Sequence, residues 1–269
     1  VAGIAGPGLG GVLVQWLTAP VAILADALSF FLSALFLATI KTPEPPPIPH
    51  EQRGTWRLVS EGMRVVLGNP ILRGIVTCGV VHNFFSRMID ALYVLYLTQT
   101  LGIAPALLGA TLALGGPGAL LGALMAAPAA KRFGIGPTCI VAQVVTGASR
   151  LCIPLAGLAL PMPASVGILM LGQFLLGVAR PVFNVNQVSL RQGITPNRLQ
   201  GRVNATMRFI MWSVTPVGAL LGGGLAVAIG IQQTLWLAGA GVLLAVLPAY
   251  LSPLRVVREH PQVEGATPA

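Results

Sequence analysis

Charge is what this sequence lacks. Asp, Glu, Lys and Arg together make up 9% of the residues, and only seven of them are acidic. Ordinary soluble domains carry about 25% charged residues, so a water-soluble globular fold is excluded. Cysteine is also scarce. Cys78, Cys139 and Cys152 are odd in number, far apart and set inside apolar runs, which argues against a disulfide framework or a zinc site and leaves them as packing residues. The sequence has no His-Glu-x-x-His, no Gly-x-Ser-x-Gly elbow, no paired catalytic carboxylates and no Walker-type phosphate loop. Zinc peptidase, serine hydrolase and ATP-driven pump chemistries therefore lose their usual signatures, and neither enzyme activity, a metal nor a cofactor is expected. The chain begins on Val1 without Met, and its first apolar run lacks the charged flank of a signal peptide. It reads as a cut chain.

Apolar sequence is abundant instead. Hydrophobic residues make up 55% and the mean hydropathy is +0.82. Apolar runs reach the roughly 20 residues that cross about 30 Å of hydrocarbon as a helix. Eight such segments can be drawn, at 1–17, 20–40, 73–98, 105–130, 137–159, 164–188, 205–229 and 233–252. The expected class is thus an all-α membrane protein of about eight transmembrane helices, with the lipid bilayer as its first partner.

The basic residues lie in alternate gaps: Lys41, Arg53, Arg57, Arg64 and Arg73, then Lys131 and Arg132, then Arg191, Arg198, Arg202 and Arg208, then Arg255 and Arg258. Gaps near Leu17, Leu101, Pro161 and Gly230 carry none. Lys and Arg resist translocation, so the charged connections are expected in the cytoplasm, with the C-terminus on that side. The formal charge of +9 is accounted for by this alternation, and nucleic acid is not an expected partner.

Two apolar segments (1–40) precede a linker at 41–70, six follow at 71–252, and 253–269 is a polar tail. The linker opens with Pro43, Pro45, Pro46, Pro47 and Pro49, a stretch that cannot be helical. After Gly54, Trp56, Val59, Met63 and Val66 share one face of a short helix and Arg57, Glu61 and Arg64 the other, the pattern of a helix lying in the membrane interface. Gly68 and Pro70 should end it. Ala5–Leu13 (AGPGLGGVL) is similar to Thr215–Leu225 (TPVGALLGGGL), which suggests two homologous bundles with the first represented by its last two helices.

Several strings resemble the major facilitator superfamily of secondary transporters, in particular the bacterial efflux branch that includes enterobactin and macrolide exporters. Gly3–Leu13 (GIAGPGLGGVL) is similar to the fifth-helix antiporter motif, with Gly3, Gly6, Pro7, Gly10 and Gly11 matching it and one spacing residue fewer before Gly6. Ala25–Leu37, Glu61–Arg73 and Arg191–Arg208 resemble the sixth helix, the central linker and the loop between helices ten and eleven. The resemblance implies that the segments are helices five to twelve of a twelve-helix bundle, N-terminally truncated, in a bacterial inner membrane. One element departs: Ala127–Gly134 reads APAAKRFG, with Lys131 where the family places an acid.

Charges inside spans cost about 2.5 to 3.5 kcal/mol each on insertion scales, so those present are the first functional suspects. They are Asp26, Arg87, Asp90, Arg150 and Arg180. Asn83, Arg87 and Asp90 share one face of the third segment, flanked by His82, Ser86 and Tyr93, and Gln173, Gly177, Arg180, Asn184 and Gln187 share one face of the sixth. The resemblance makes these helices seven and ten, which line the family's central cavity. It makes the helices of Asp26 and Arg150 peripheral, which implies packing roles. The bland alternative for Arg87 and Asp90 is an intrahelical pair that lowers the cost of insertion. Pro181 should free the Gly177 carbonyl, giving a kink or an acceptor toward the cavity. The expected function is proton-coupled efflux of a small amphipathic molecule by alternating access. Import or uniport within the same superfamily, or a non-transporting sensor or assembly module, are the alternatives.

Overall fold

The computed structural model describes residues 19–39 and 55–258. The antiporter-like residues Gly3, Gly6, Pro7, Gly10 and Gly11, the proline-rich stretch and the final tail lie outside the described residues. The chain divides into two compact units, Val1–Gly54 and Thr55–Ala269. In the first, Ala19–Ala38 is helix α1, with Pro20 near its start. Phe30, Phe31 and Phe36 on it are exposed.

The second unit is helical throughout its described residues: α2 (Thr55–Gly68), α3 (Pro70–Leu95), α4 (Pro105–Ala113), α5 (Gly115–Phe133), α6 (Ile135–Leu155), α7 (Met162–Ile194), α8 (Asn197–Ser213), α9 (Thr215–Ile229), α10 (Ile231–Leu244) and α11 (Val246–Leu251). By length and apolarity they make five spans, three of them assembled from α4 with α5, α8 with α9 and α10 with α11, or six if the bent pair α2 and α3 counts as one. Helix α3 runs on through a π-type turn at Tyr96–Thr100 and meets α2 at a bend of 101°. The bend is encoded locally. Asn69 accepts from the Ile71 and Leu72 amides at 2.9 and 3.2 Å, and Pro70 occupies the first helical position, where no N–H is needed.

Helix ends do not coincide with the ends of the apolar runs. Residues 191–208 were expected to be a basic loop. Instead α7 continues to Ile194 and α8 begins at Asn197, so Thr195 and Pro196 alone separate them. Arg198, Arg202 and Arg208 therefore ride on a helix that extends past its apolar section.

Two triplets of helices repeat. Gly118-Ala119-Leu120-Leu121-Gly122 on α5 has its counterpart in Gly218-Ala219-Leu220-Leu221-Gly222 on α9, and each helix begins just after a break, at Leu114 or Val214. A Cβ on Gly118 or Gly122 would strike the backbone of Phe174 or Val178 on α7; one on Gly218 or Gly222 would strike Phe84 or Met88 on α3. Small residues thus bring both helix pairs into backbone contact. Each triplet then turns at a glycine of positive φ, Gly134 (93°) and Gly230 (94°). There Thr138 and Thr234 return their hydroxyls to the Gly134 and Gly230 carbonyls at 2.7 and 2.8 Å. Residues about 90 to 100 apart are structurally equivalent, which pairs Asp90 with Arg180.

Apolar packing concentrates at the two ends. Val66, Leu72, Leu190, Leu199, Val203, Met207 and Leu254 form one cluster; Tyr96, Leu97, Ile103, Ile153, Leu169 and Leu235 belong to the other. The junctions carrying Lys131 and Arg132, Arg191 to Arg202, and Arg255 with Arg258 all fall at the first end. Two backbone bonds fasten the chain there, from the Ile135 and Gly136 amides to the Arg258 and Val257 carbonyls at 3.4 and 2.9 Å. Helix α2 is packed on this end rather than free: Gly62 meets Thr206 and the Arg202 backbone, Val66 is wholly buried, and Glu61 pairs with Arg202. The expected single apolar face divides, because Val59 remains exposed.

Candidate functional site

Asp90 is the centre of the polar arrangement. Arg87, one turn back on α3, lies 3.4 Å away from one carboxylate oxygen. The other oxygen is 3.1 Å from Nη1 of Arg150 on α6. Asp90 keeps 39% of its side chain accessible while that of Arg150 is at 10%, so the carboxylate looks outward from a buried cation. Spacing on α3 singled out the intrahelical pair. Arg150, expected to pack on a peripheral helix, is a buried cation whose partner is Asp90. A charged residue on the facing helix was the only available signal, and a buried cation in hydrocarbon needs an anion.

The flanking residues extend the arrangement along α3. Tyr93 Oη accepts from Nε2 of Gln173 on α7 at 2.9 Å. Behind it is a cavity of about 10 Å³ bounded by Ser149, Arg150, Cys152 and Gly172, room for about one water. About two turns below Asp90, the Gln143 amide on α6 donates to Nδ1 of His82 at 3.0 Å and reaches the Val242 carbonyl at 3.3 Å. Because Val242 can only accept, the amide nitrogen is the donor on this side. Nδ1 is thereby an acceptor, and the neutral ring carries its proton on Nε2, 3.4 Å from the Ser86 hydroxyl. Gln143 is buried, and sequence spacing did not single it out.

Other residues of the expected cavity are arranged differently. Asn83 donates to the Met211 carbonyl at 2.8 Å, close to the break between α8 and α9, where carbonyls lose their helical donors. Gln187 reaches Asn184 at 3.4 Å along the same helix, and Asn184 is exposed. Arg180 is exposed and makes no ion pair among the described residues. Helix rise explains its separation from Asp90. Asp90 lies about 7 Å beyond the centre of its span toward the end of α3, and Arg180, on an oppositely directed helix, lies several ångströms to the other side of the centre. Gly177 does not face a cavity: it packs on Gly115 and Ala119 of α5. Helix α7 passes through Pro181 without interruption. Asp26 falls on α1, and its side chain is not described. Among the described residues no group of three His, Cys, Asp or Glu side chains could hold a metal.

The family model of the Major Facilitator Superfamily matches residues 75–269, from within α3 to the end of the given sequence. The chain belongs to the Major Facilitator Superfamily. It is thus a multi-pass membrane protein of a transporter family rather than an enzyme. Over 257 residues it is 28% identical to the multidrug efflux pump Tap of Mycolicibacterium fortuitum, a match that covers 94% of this chain and 60% of that protein. The chain therefore spans less than two thirds of the length of this efflux relative, and the similarity agrees with the efflux resemblance of the sequence motifs.

Proposed function

We propose that this superfamily chain forms part of a secondary transporter that exports small amphipathic molecules in exchange for protons, with Asp90 as the protonatable group. The observation that carries the reading is the Asp90 carboxylate held between Arg87 and Arg150, drawn from two helices inside apolar spans. Protonating a carboxylate held between two cations removes both ion pairs and changes which helix positions are favourable. That coupling gives one proton a handle on two helices. Export and amphipathic cargo are supported by similarity to a multidrug efflux pump. The basic junctions gathered at one end support a cytoplasmic placement of that end and of the C-terminus in a bacterial inner membrane.

Alternating access rocks one bundle against another, so the activity belongs to a full-length parent. In that parent, Asp90→Asn should abolish uphill, proton-driven export while retaining membrane insertion and downhill exchange, and Asp26→Asn should lower expression more than coupling. Uphill export by Asp90→Asn equal to wild type at matched protein levels would remove Asp90 from the coupling site.

A further inference from the structure

Between Asp90 and Glu259 the chain has no Asp or Glu, although Lys131, Arg132, Arg191, Arg198, Arg202, Arg208, Arg255 and Arg258 fall in that interval. Glu61 is the one acid found paired to any of them among the described residues, and its partner is Arg202. Lys131 and Arg132 end α5, exposed and without an ion-pair partner among the described residues. Exposed cations at a helix end, with no protein anion paired to them among the described residues, favour an anion from outside the protein.

A groove of about 510 Å³ leads away from this point. Helices α5 and α6 both pack on α7 and diverge from their shared turn at Gly134, so α7 forms the floor through Val178 and Val182. Met125, Ala129 and Phe133 line one wall at intervals of one helical turn, and Val141 and Val145 line the other. From Met125 to Phe133 the first wall extends about 12 Å of helix rise. Met125, Phe133 and Val141 are 53%, 62% and 61% exposed, a contiguous apolar surface of the kind that a partner covers. Thr138 is the one polar side chain in the lining, and its hydroxyl is already bonded to the Gly134 carbonyl at 2.7 Å. The groove therefore offers no free hydrogen-bonding side chain to a polar solute or to water. At its mouth the Arg132 guanidinium lies 5.4 Å from the centre of the Phe133 ring, held beside the opening by cation–π attraction.

We infer that this groove is a binding site for one anionic phospholipid, with an acyl chain between α5 and α6 and the headgroup phosphate at Arg132. An apolar trough whose one polar side chain is bonded within its own helix turn, ending at a cation with no ion-pair partner among the described residues, matches a molecule with hydrocarbon and negative charge at the same spacing. Lys131 adds to the positive field on the neighbouring flank, where it shares a second cavity with Arg258. The site lies apart from Asp90 and does not depend on which solute is exported.

The test uses the 269-residue chain in nanodiscs doped with phosphatidylglycerol or phosphatidylcholine bearing a photoreactive diazirine in one acyl chain, followed by peptide mapping. Phosphatidylglycerol should label residues 125–145 over phosphatidylcholine by on the order of fivefold, the contribution of about one basic residue at a membrane surface. Arg132→Gln should bring the two lipids to equal labelling without loss of the acyl-chain contact. Val141→Trp should fill the trough and cut labelling by both, with labelling of α9 and α10 unchanged as the control for folding. Equal labelling by the two lipids in wild type would overturn the site and leave only the ordinary lipid annulus. An unlabelled groove that instead cross-links between two copies of the chain would overturn it in favour of self-association.

Discussion

Nη1 of Arg150 on α6 stands 3.1 Å from Oδ1 of Asp90 on α3, sixty residues away in sequence. The pair joins two helices of the second unit through a buried cation and a part-exposed anion. Truncating Arg150 to Ala leaves Asp90 with Arg87 alone. Breaking fully buried pairs costs roughly 3 to 5 kcal/mol, and the exposure of Asp90 reduces this to about 1 to 2 kcal/mol. Thermal unfolding in detergent should show Arg150→Ala as the less stable protein. The double variant Arg150→Ala, Asp90→Asn should lose less than the sum of the two single variants, because both substitutions remove the same ion pair.

The repeated glycine contacts predict a selective pattern. Gly122→Ala and Gly218→Ala place a Cβ against the backbone of Val178 and Phe84, and should each cost about 1 to 3 kcal/mol by overpacking. Gly224→Ala meets nothing within 4 Å, and should be neutral or gain about 0.5 to 1 kcal/mol from reduced backbone freedom in a helix. Yield of folded protein after size-exclusion chromatography ranks the three.

Helix α2 is held by Glu61 on Arg202 and by Gly62 on Thr206. Glu61→Gln should raise amide hydrogen exchange over residues 55–68 with little change in the rest of the bundle. The energy at stake is about 1 kcal/mol, as expected for a single part-buried pair near the surface. Adding Arg202→Gln should produce little further increase, since both substitutions remove one interaction.

Span positions were legible in the sequence because hydrocarbon thickness sets run length, and the alternation of basic gaps supplied an order of connections. Helix ends at 191–208 were not, since arginine marks where a chain leaves the membrane and says nothing of where its helix stops. In the site, Arg87 and Asp90 could be paired from spacing alone. Arg150 and Gln143 could not, because periodicity gives the face of a helix but not which helix stands opposite. The duplicated Gly-Ala-Leu-Leu-Gly strings at 118–122 and 218–222 were a readable signal of the helix pairs, and through them of the equivalence of Asp90 and Arg180.

Orientation follows from the basic end. Cysteines introduced at Ser60, Gln200 and Arg258 should react with a membrane-impermeant maleimide only from the cytoplasmic side, and one at Gln99 only from the opposite side. Reaction of the Gln99 and Gln200 probes from one side would contradict the threading of α3 through α8.

Exchange of a proton for substrate at Asp90 is tested most directly by proton release. Full-length parent protein in weakly buffered detergent, at a pH where binding is half-maximal, is mixed with an amphipathic cation such as ethidium while a pH indicator is followed. Wild type should release protons on binding, and Asp90→Asn should bind the cation without releasing them. Equal proton release by Asp90→Asn and wild type would contradict the account, because the exchanged proton would then reside on another group.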